Sequence, residues 1–133
     1  DGLQIRDWLH VDDHVTALRA VLLSGRDGET YNIGGLNEVT NLQVVNKLCS
    51  VLDEVRPKPN GTYREQISFV QDRPGHDQRY AIDAGKVTAE LNWTPAYNFT
   101  KGLEQTVNWY IDNQDWWQAV LSSSYKTERL GKG

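Results

Sequence analysis

Asp72-Arg73-Pro74-Gly75-His76-Asp77-Gln78-Arg79-Tyr80 sets two arginines, a histidine and two aspartates around a Pro-Gly turn, with no apolar residue before Tyr80. So polar a run cannot be core. Pro74 fixes φ and Gly75 tolerates positive φ, so a sharp turn is expected that sets the flanking side chains on a shared rim. Arginine forks beside an imidazole suit an anionic, oxygen-rich ligand, above all a phosphate or diphosphate. The same residues also make a solvated surface turn, and the rest of the chain has to decide between the two.

Working outward, residues 67–70 (Ile-Ser-Phe-Val) read as a strand leading into the turn. Beyond it Ala81-Ile82 is short and extended, and Asp83 caps a helix with Val87 and Leu91 facing inward, ended by Trp93-Thr94-Pro95. A last helix is expected from near Thr100 to about Leu121, with Leu103, Val107, Tyr110 and Ile111 on one face. Upstream, Arg56-Pro57-Lys58-Pro59-Asn60-Gly61 is a loop breaker. It follows a helix capped by a Thr40/Gln43 box that carries Leu42, Val45, Leu48, Cys49 and Leu52 on one face. Residues 29–33 read as a strand stopped by Gly34-Gly35. Residues 3–9 read as a first strand, and a helix capped by Asp12 or Asp13 carries Val15, Leu18, Val21 and Leu22 to about Ser24-Gly25. Strands alternating with helices predict an α/β fold with some parallel pairing. Three or four short strands and about four helices make a small, partial sheet. Residues 1–121 form one predicted domain, and residues 122–133 a polar tail.

Composition narrows the function. The 133 residues carry 14 Lys+Arg against 18 Asp+Glu, a formal net charge of −4. That argues against a nucleic-acid partner, which calls for a basic surplus. No run of 18 apolar residues and no charged-then-apolar leader is found, so no membrane partner and a cytoplasmic setting are expected. The single Cys49, read as a small core residue, fits a reducing compartment. His10, His14 and His76 with one cysteine give no zinc spacing, so no metal is expected. The chain has no methionine and opens directly in strand-like sequence, and is expected to continue a longer protein.

Three stretches carry a resemblance: residues 5–14 (Ile-Arg-Asp-Trp-Leu-His-Val-Asp-Asp-His), residues 31–38 (Tyr-Asn-Ile-Gly-Gly-Leu-Asn-Glu) and residues 72–83. Together they closely resemble the C-terminal part of the dTDP-glucose 4,6-dehydratases, within the extended short-chain dehydrogenase/reductase family. Glu90-Leu91-Asn92-Trp93-Thr94-Pro95 and Thr106-Val107-Asn108-Trp109-Tyr110 fit the same pattern, so the likeness runs to about Leu121. Arg-Asp-Trp and Tyr-Asn-Ile-Gly-Gly are shared loosely by many nucleotide-sugar enzymes, whereas Asp-Arg-Pro-Gly-His-Asp is more specific. The resemblance implies that this chain supplies most of a nucleotide-sugar pocket. In it Arg6, together with the segment Asp72-Arg73-Pro74-Gly75-His76 through Arg73 and His76, contacts the diphosphate or nucleotide. Asn41 is implied as a further contact, and Tyr125 as a tail residue closing over the pocket. It implies NAD in the intact enzyme, a missing N-terminal Rossmann half, and self-association through the surface that half would cover.

The family's chemistry needs NAD on a glycine-rich turn, a Tyr-x-x-x-Lys pair and an Asp-Glu acid/base pair. No glycine-rich phosphate turn follows a strand here, so no cofactor is expected on this chain. Tyr97 and Lys101 match Tyr-x-x-x-Lys literally, but Tyr97 follows Pro95 and precedes the helix cap, so the two need not share a face. Asp12-Asp13 and Asp53-Glu54 read as helix-end residues. No catalytic residue is expected, and the chain alone should be silent. Two alternatives stay open: a piece of another nucleotide-sugar epimerase or decarboxylase, and a stand-alone nucleotide- or protein-binding module.

Overall fold

A computed structural model describes residues 1–123. It contains β1 (Ile5–Asp7), α1 (Val11–Ser24), β2 (Glu38–Thr40), α2 (Asn41–Val55), a 3-10 turn (Tyr63–Gln66), α3 (Gly85–Leu91), α4 (Phe99–Asp112) and α5 (Gln114–Ser123). The α/β class holds, with a smaller sheet than expected. β1 and β2 pair antiparallel, Ile5 opposite Thr40 and Asp7 opposite Glu38. Among the described residues, parallel pairing is confined to one bridge between Ile5 and Arg79.

The strands depart furthest from the expected pattern. Residues 29–33 form no strand; instead Tyr31 and Ile33 pack onto a core of Ala17, Ala84, Val87 and Trp93, so their apolar alternation serves packing rather than pairing. Residues 67–70 are irregular in structure, and Phe69 and Val70 are exposed. The strand that does pair with β1 is Glu38–Thr40, whose Val39 and Thr40 favour extended backbone but which is too short to show an alternating pattern. Its cause is the turn before it: the Asp7 carboxylate accepts hydrogen bonds from the Gly35 and Asn37 N–H groups, both at 2.8 Å, and folds the chain back onto β1.

Helices α1 to α4 stand where spacing puts them, and α1, α3 and α4 have caps other than those expected, Ala84 rather than Asp83 preceding α3. His10 caps α1, its Nδ1 accepting from Asp12 N–H at 3.3 Å. Asp13 is turned inward and 3% exposed, and accepts the Ala96 and Tyr97 N–H groups at 2.8 and 3.0 Å. A buried carboxylate needs such donors, and here it ties α1 to the loop before α4. The stripe Val15, Leu18 and Leu22 is exposed rather than core, and α1 instead buries Ala17. The Thr40/Gln43 capping box of α2 forms as expected. Cys49 and Val51 are the buried residues of α2, while Val45 is exposed. Asn98, not a residue near Thr100, caps α4 by accepting from Lys101 N–H at 3.0 Å. The expected single last helix is two: the Asn113 N–H and side-chain amide both donate to the Trp109 carbonyl, closing α4 and making five α-helices among the described residues.

Candidate nucleotide-binding site

The segment 72–80 docks beside β1. Ile5 N–H donates to the Gln78 carbonyl at 2.8 Å, and Tyr80 N–H donates to the Ile5 carbonyl at 3.1 Å. Arg79 pins the same segment to β2, its Nε and Nη2 reaching Glu38 Oε2 at 2.8 and 2.6 Å. Arg6, on β1, donates from Nη2 to the Asp77 carbonyl at 3.0 Å and lies 4.6 Å over the Tyr80 ring. The Tyr80 hydroxyl donates to the Asp77 carboxylate, and that bond, reinforced by the Asp77 charge, pushes the phenol above its ordinary range. The Arg6 and Arg73 charges act the other way, so both guanidinium groups bear on Tyr80. Arg73 itself is exposed and makes no side-chain hydrogen bond or ion pair among the described residues.

The Pro74-Gly75 turn forms as expected. Gly75 has φ +66 with nothing within 4 Å of a would-be Cβ, a left-handed conformation that favours glycine in open space. On its N-terminal side Asp72 gathers three donors: Oδ1 accepts from Arg73 N–H at 2.8 Å and is 2.7 Å from His76 Nδ1, and Oδ2 accepts from Gln4 Nε2 at 2.6 Å. The His76 bond first, and then the Arg73 N–H and the His76 charge, hold the Asp72 carboxyl below the usual range against the opposing cost of desolvation.

A groove of about 410 Å³ runs beside this segment, its lining including Gln4, Asn41, Leu42, Val45, Phe69 and Asp72. Asn41 opens α2, its N–H donating to the Gln4 carbonyl at 3.0 Å. The expected residues therefore fall into three linked groups: Asn41 and Asp72 on the groove, His76 and the Arg73 backbone on Asp72, and Arg6 on Asp77 and Tyr80. Arg6, Arg73 and His76 do not line the groove itself. Tyr125 lies outside the described residues.

Gln4, Asp7 and Tyr80 were missed by sequence reasoning. Gln4 is 6% exposed and joins two of the groups, its carbonyl holding Asn41 and its amide holding Asp72. Its one available signal was a polar residue flanked by Leu3 and Ile5 in a strand-like run, a pattern that ordinarily marks a solvent-facing position.

The chain is 57% identical over 132 residues to the dTDP-glucose 4,6-dehydratase of Xanthomonas campestris pv. campestris, covering 98% of this chain and 38% of that protein. Among solved structures, that of the dTDP-glucose 4,6-dehydratase of Bacillus anthracis, in complex with NAD, superposes with a TM-score of 0.77 at 47% identity, over 90% of this chain and 35% of that one. That of Streptomyces venezuelae, also with NAD bound, gives 0.78 at 40% identity with the same coverage. The chain thus spans little more than a third of the length of these relatives. Residues 1–106 match the GDP-mannose 4,6 dehydratase family, and the chain belongs to that family.

Proposed function

We propose that this chain is the substrate-binding portion of an NAD-dependent dTDP-glucose 4,6-dehydratase, the intact enzyme converting dTDP-glucose to dTDP-4-keto-6-deoxyglucose. The observation that carries this reading is near-complete coverage of the chain by relatives of that name, joined to an unpaired guanidinium at Arg73 beside a positive-φ turn. Arg73 offers its fork to the diphosphate, Arg6 adds a second positive charge, His76 offers Nε2, and the Asn41 amide meets the ligand at the groove. A diphosphate carries about two negative charges, and a hydrogen bond to a charged group contributes about 1.5–3 kcal/mol.

Gly34-Gly35 does not form a cradle for the phosphates of NAD. A Cβ at Gly34 would stand 2.7 Å from Asp7 Oδ2, and one at Gly35 would strike the Trp8 carbonyl oxygen. These glycines let two chain segments touch, and leave no open backbone cradle for a cofactor's phosphates. Hydride chemistry then belongs to another part of the protein, in keeping with the short span of its relatives that this chain covers, and this chain's task is to hold and orient the sugar nucleotide. The same reading puts the protein in the cytoplasm.

The test is the full-length product of the reading frame that encodes this chain, supplied with NAD and dTDP-glucose. The expected product has a C4 carbonyl and a C6 methyl group by NMR. A product that keeps its C6 hydroxyl and differs only in stereochemistry would replace this reading with an epimerase.

A further inference from the structure

His76 sits beside a carboxylate that has no proton to give. An ionised carboxylate only accepts hydrogen bonds, so the ring nitrogen facing Asp72 Oδ1 at 2.7 Å carries the hydrogen. Asp72 cannot readily swing away from that task. Its other oxygen is held at 2.6 Å by the amide of Gln4, a side chain buried at the root of β1, and its first oxygen also takes the Arg73 N–H at 2.8 Å. Gln4 is itself held in the fold, because its carbonyl accepts from Asn41 at the start of α2. Rigid backbone, buried amide, carboxylate and imidazole thus form one chain of contacts ending at a ring whose Nε2 has no hydrogen-bond partner among the described residues.

We infer that Gln4 and Asp72 are positioning residues that lock His76 in its Nδ1–H form, leaving Nε2 as the ring atom offered to a ligand. This rests on the proposed nucleotide-binding function and adds an orientation to it. In its neutral form Nε2 accepts from a ligand hydroxyl; in its charged form it donates to a phosphate oxygen. Asp72, which already receives Gln4, the Arg73 N–H and His76, acts on the ligand through His76. A partner that fixes a functional histidine's tautomer in this way is a familiar device of metal and catalytic sites.

The test uses the ¹⁵N-labelled 133-residue chain and long-range ¹H–¹⁵N spectra at about pH 8, where an imidazole is ordinarily neutral. His76 is expected to show a protonated Nδ1 and a bare Nε2, the reverse of free histidine. Asp72→Ala should restore the Nε2–H form, Gln4→Ala should move the signals part of the way, and Asp72→Asn, which keeps an acceptor, should retain the wild-type pattern. A wild-type ring protonated on Nε2, or an unchanged pattern in Asp72→Ala, would overturn the inference. In parallel, Asp72→Ala should weaken dTDP binding about two- to tenfold, the worth of one net hydrogen bond. The nitrogen spectra need no ligand, so they decide the positioning role even where failure of the wild-type chain to bind dTDP sinks the functional reading.

Discussion

Around the Pro74-Gly75 turn nearly every charge is spoken for by a neighbour: Arg79 by Glu38, Asp77 by Tyr80, Asp72 by His76 and Gln4. Arg73 alone among them keeps its guanidinium in solvent. Arg73→Ala is therefore expected to weaken dTDP binding by about 1.5–3 kcal/mol with no change in melting temperature. Arg19→Ala, an exposed control on α1, should leave binding alone, and calorimetry on both variants makes the comparison. Asp72 gives a pH prediction. Its folded carboxyl is held below the usual range, chiefly by the His76 bond, so its contribution is present above the unfolded value and is lost as pH falls through the ordinary carboxylate range and down to the folded value. Acid titration of the Arg73 amide and His76 ring signals should show the turn letting go in that window, and Asp72→Asn should abolish the step. At this scale charged residues were legible in the sequence because few structural reasons crowd Arg, His and Asp about one turn. Gln4 was not, because an uncharged amide in a strand looks like surface until its partner, 68 positions away, is seen.

Among the elements, α1 shows how spacing finds a helix without saying which side faces in. Its apolar stripe and its buried side differ, and Asp13 anchors the buried side to the backbone of Ala96 and Tyr97. Asp13→Ala strips two part-buried N–H groups of their acceptor and is expected to cost about 2–5 kcal/mol of stability. Asp13→Asn, which keeps one acceptor oxygen, should cost less, and denaturant melts of both variants measure the difference. Helices of 14 or 15 residues such as α1, α2 and α4 repeat their pattern over several turns and were readable. β1 was readable inside the strand-like run 3–9, whereas the three residues of β2 hold too little alternation to stand out and are placed by the Asp7-bound turn before them. Asn113 was missed as a break because its effect comes from closing onto the Trp109 carbonyl, a contact that periodicity does not register.

Taken whole, the molecule leaves much apolar surface in water. Among the described residues Val11, Leu23, Leu36, Phe69 and Val70 are all largely exposed. Val15, Leu18 and Leu22 form a continuous exposed stripe on α1, and Leu22 is 84% exposed. Patches of this kind are usually covered. The isolated chain is expected to self-associate with rising concentration, and Leu18→Glu with Leu22→Glu should shift sedimentation toward monomer; a sharp, concentration-independent monomer in the unmodified chain would contradict this.

Binding of a sugar nucleotide through its diphosphate is decided by calorimetric titration of the 133-residue chain with dTDP. Saturable heat of weak affinity is expected, disappearing in the Arg6→Ala, Arg73→Ala double variant. No heat at millimolar dTDP, or heat that survives the loss of both arginines, would contradict it.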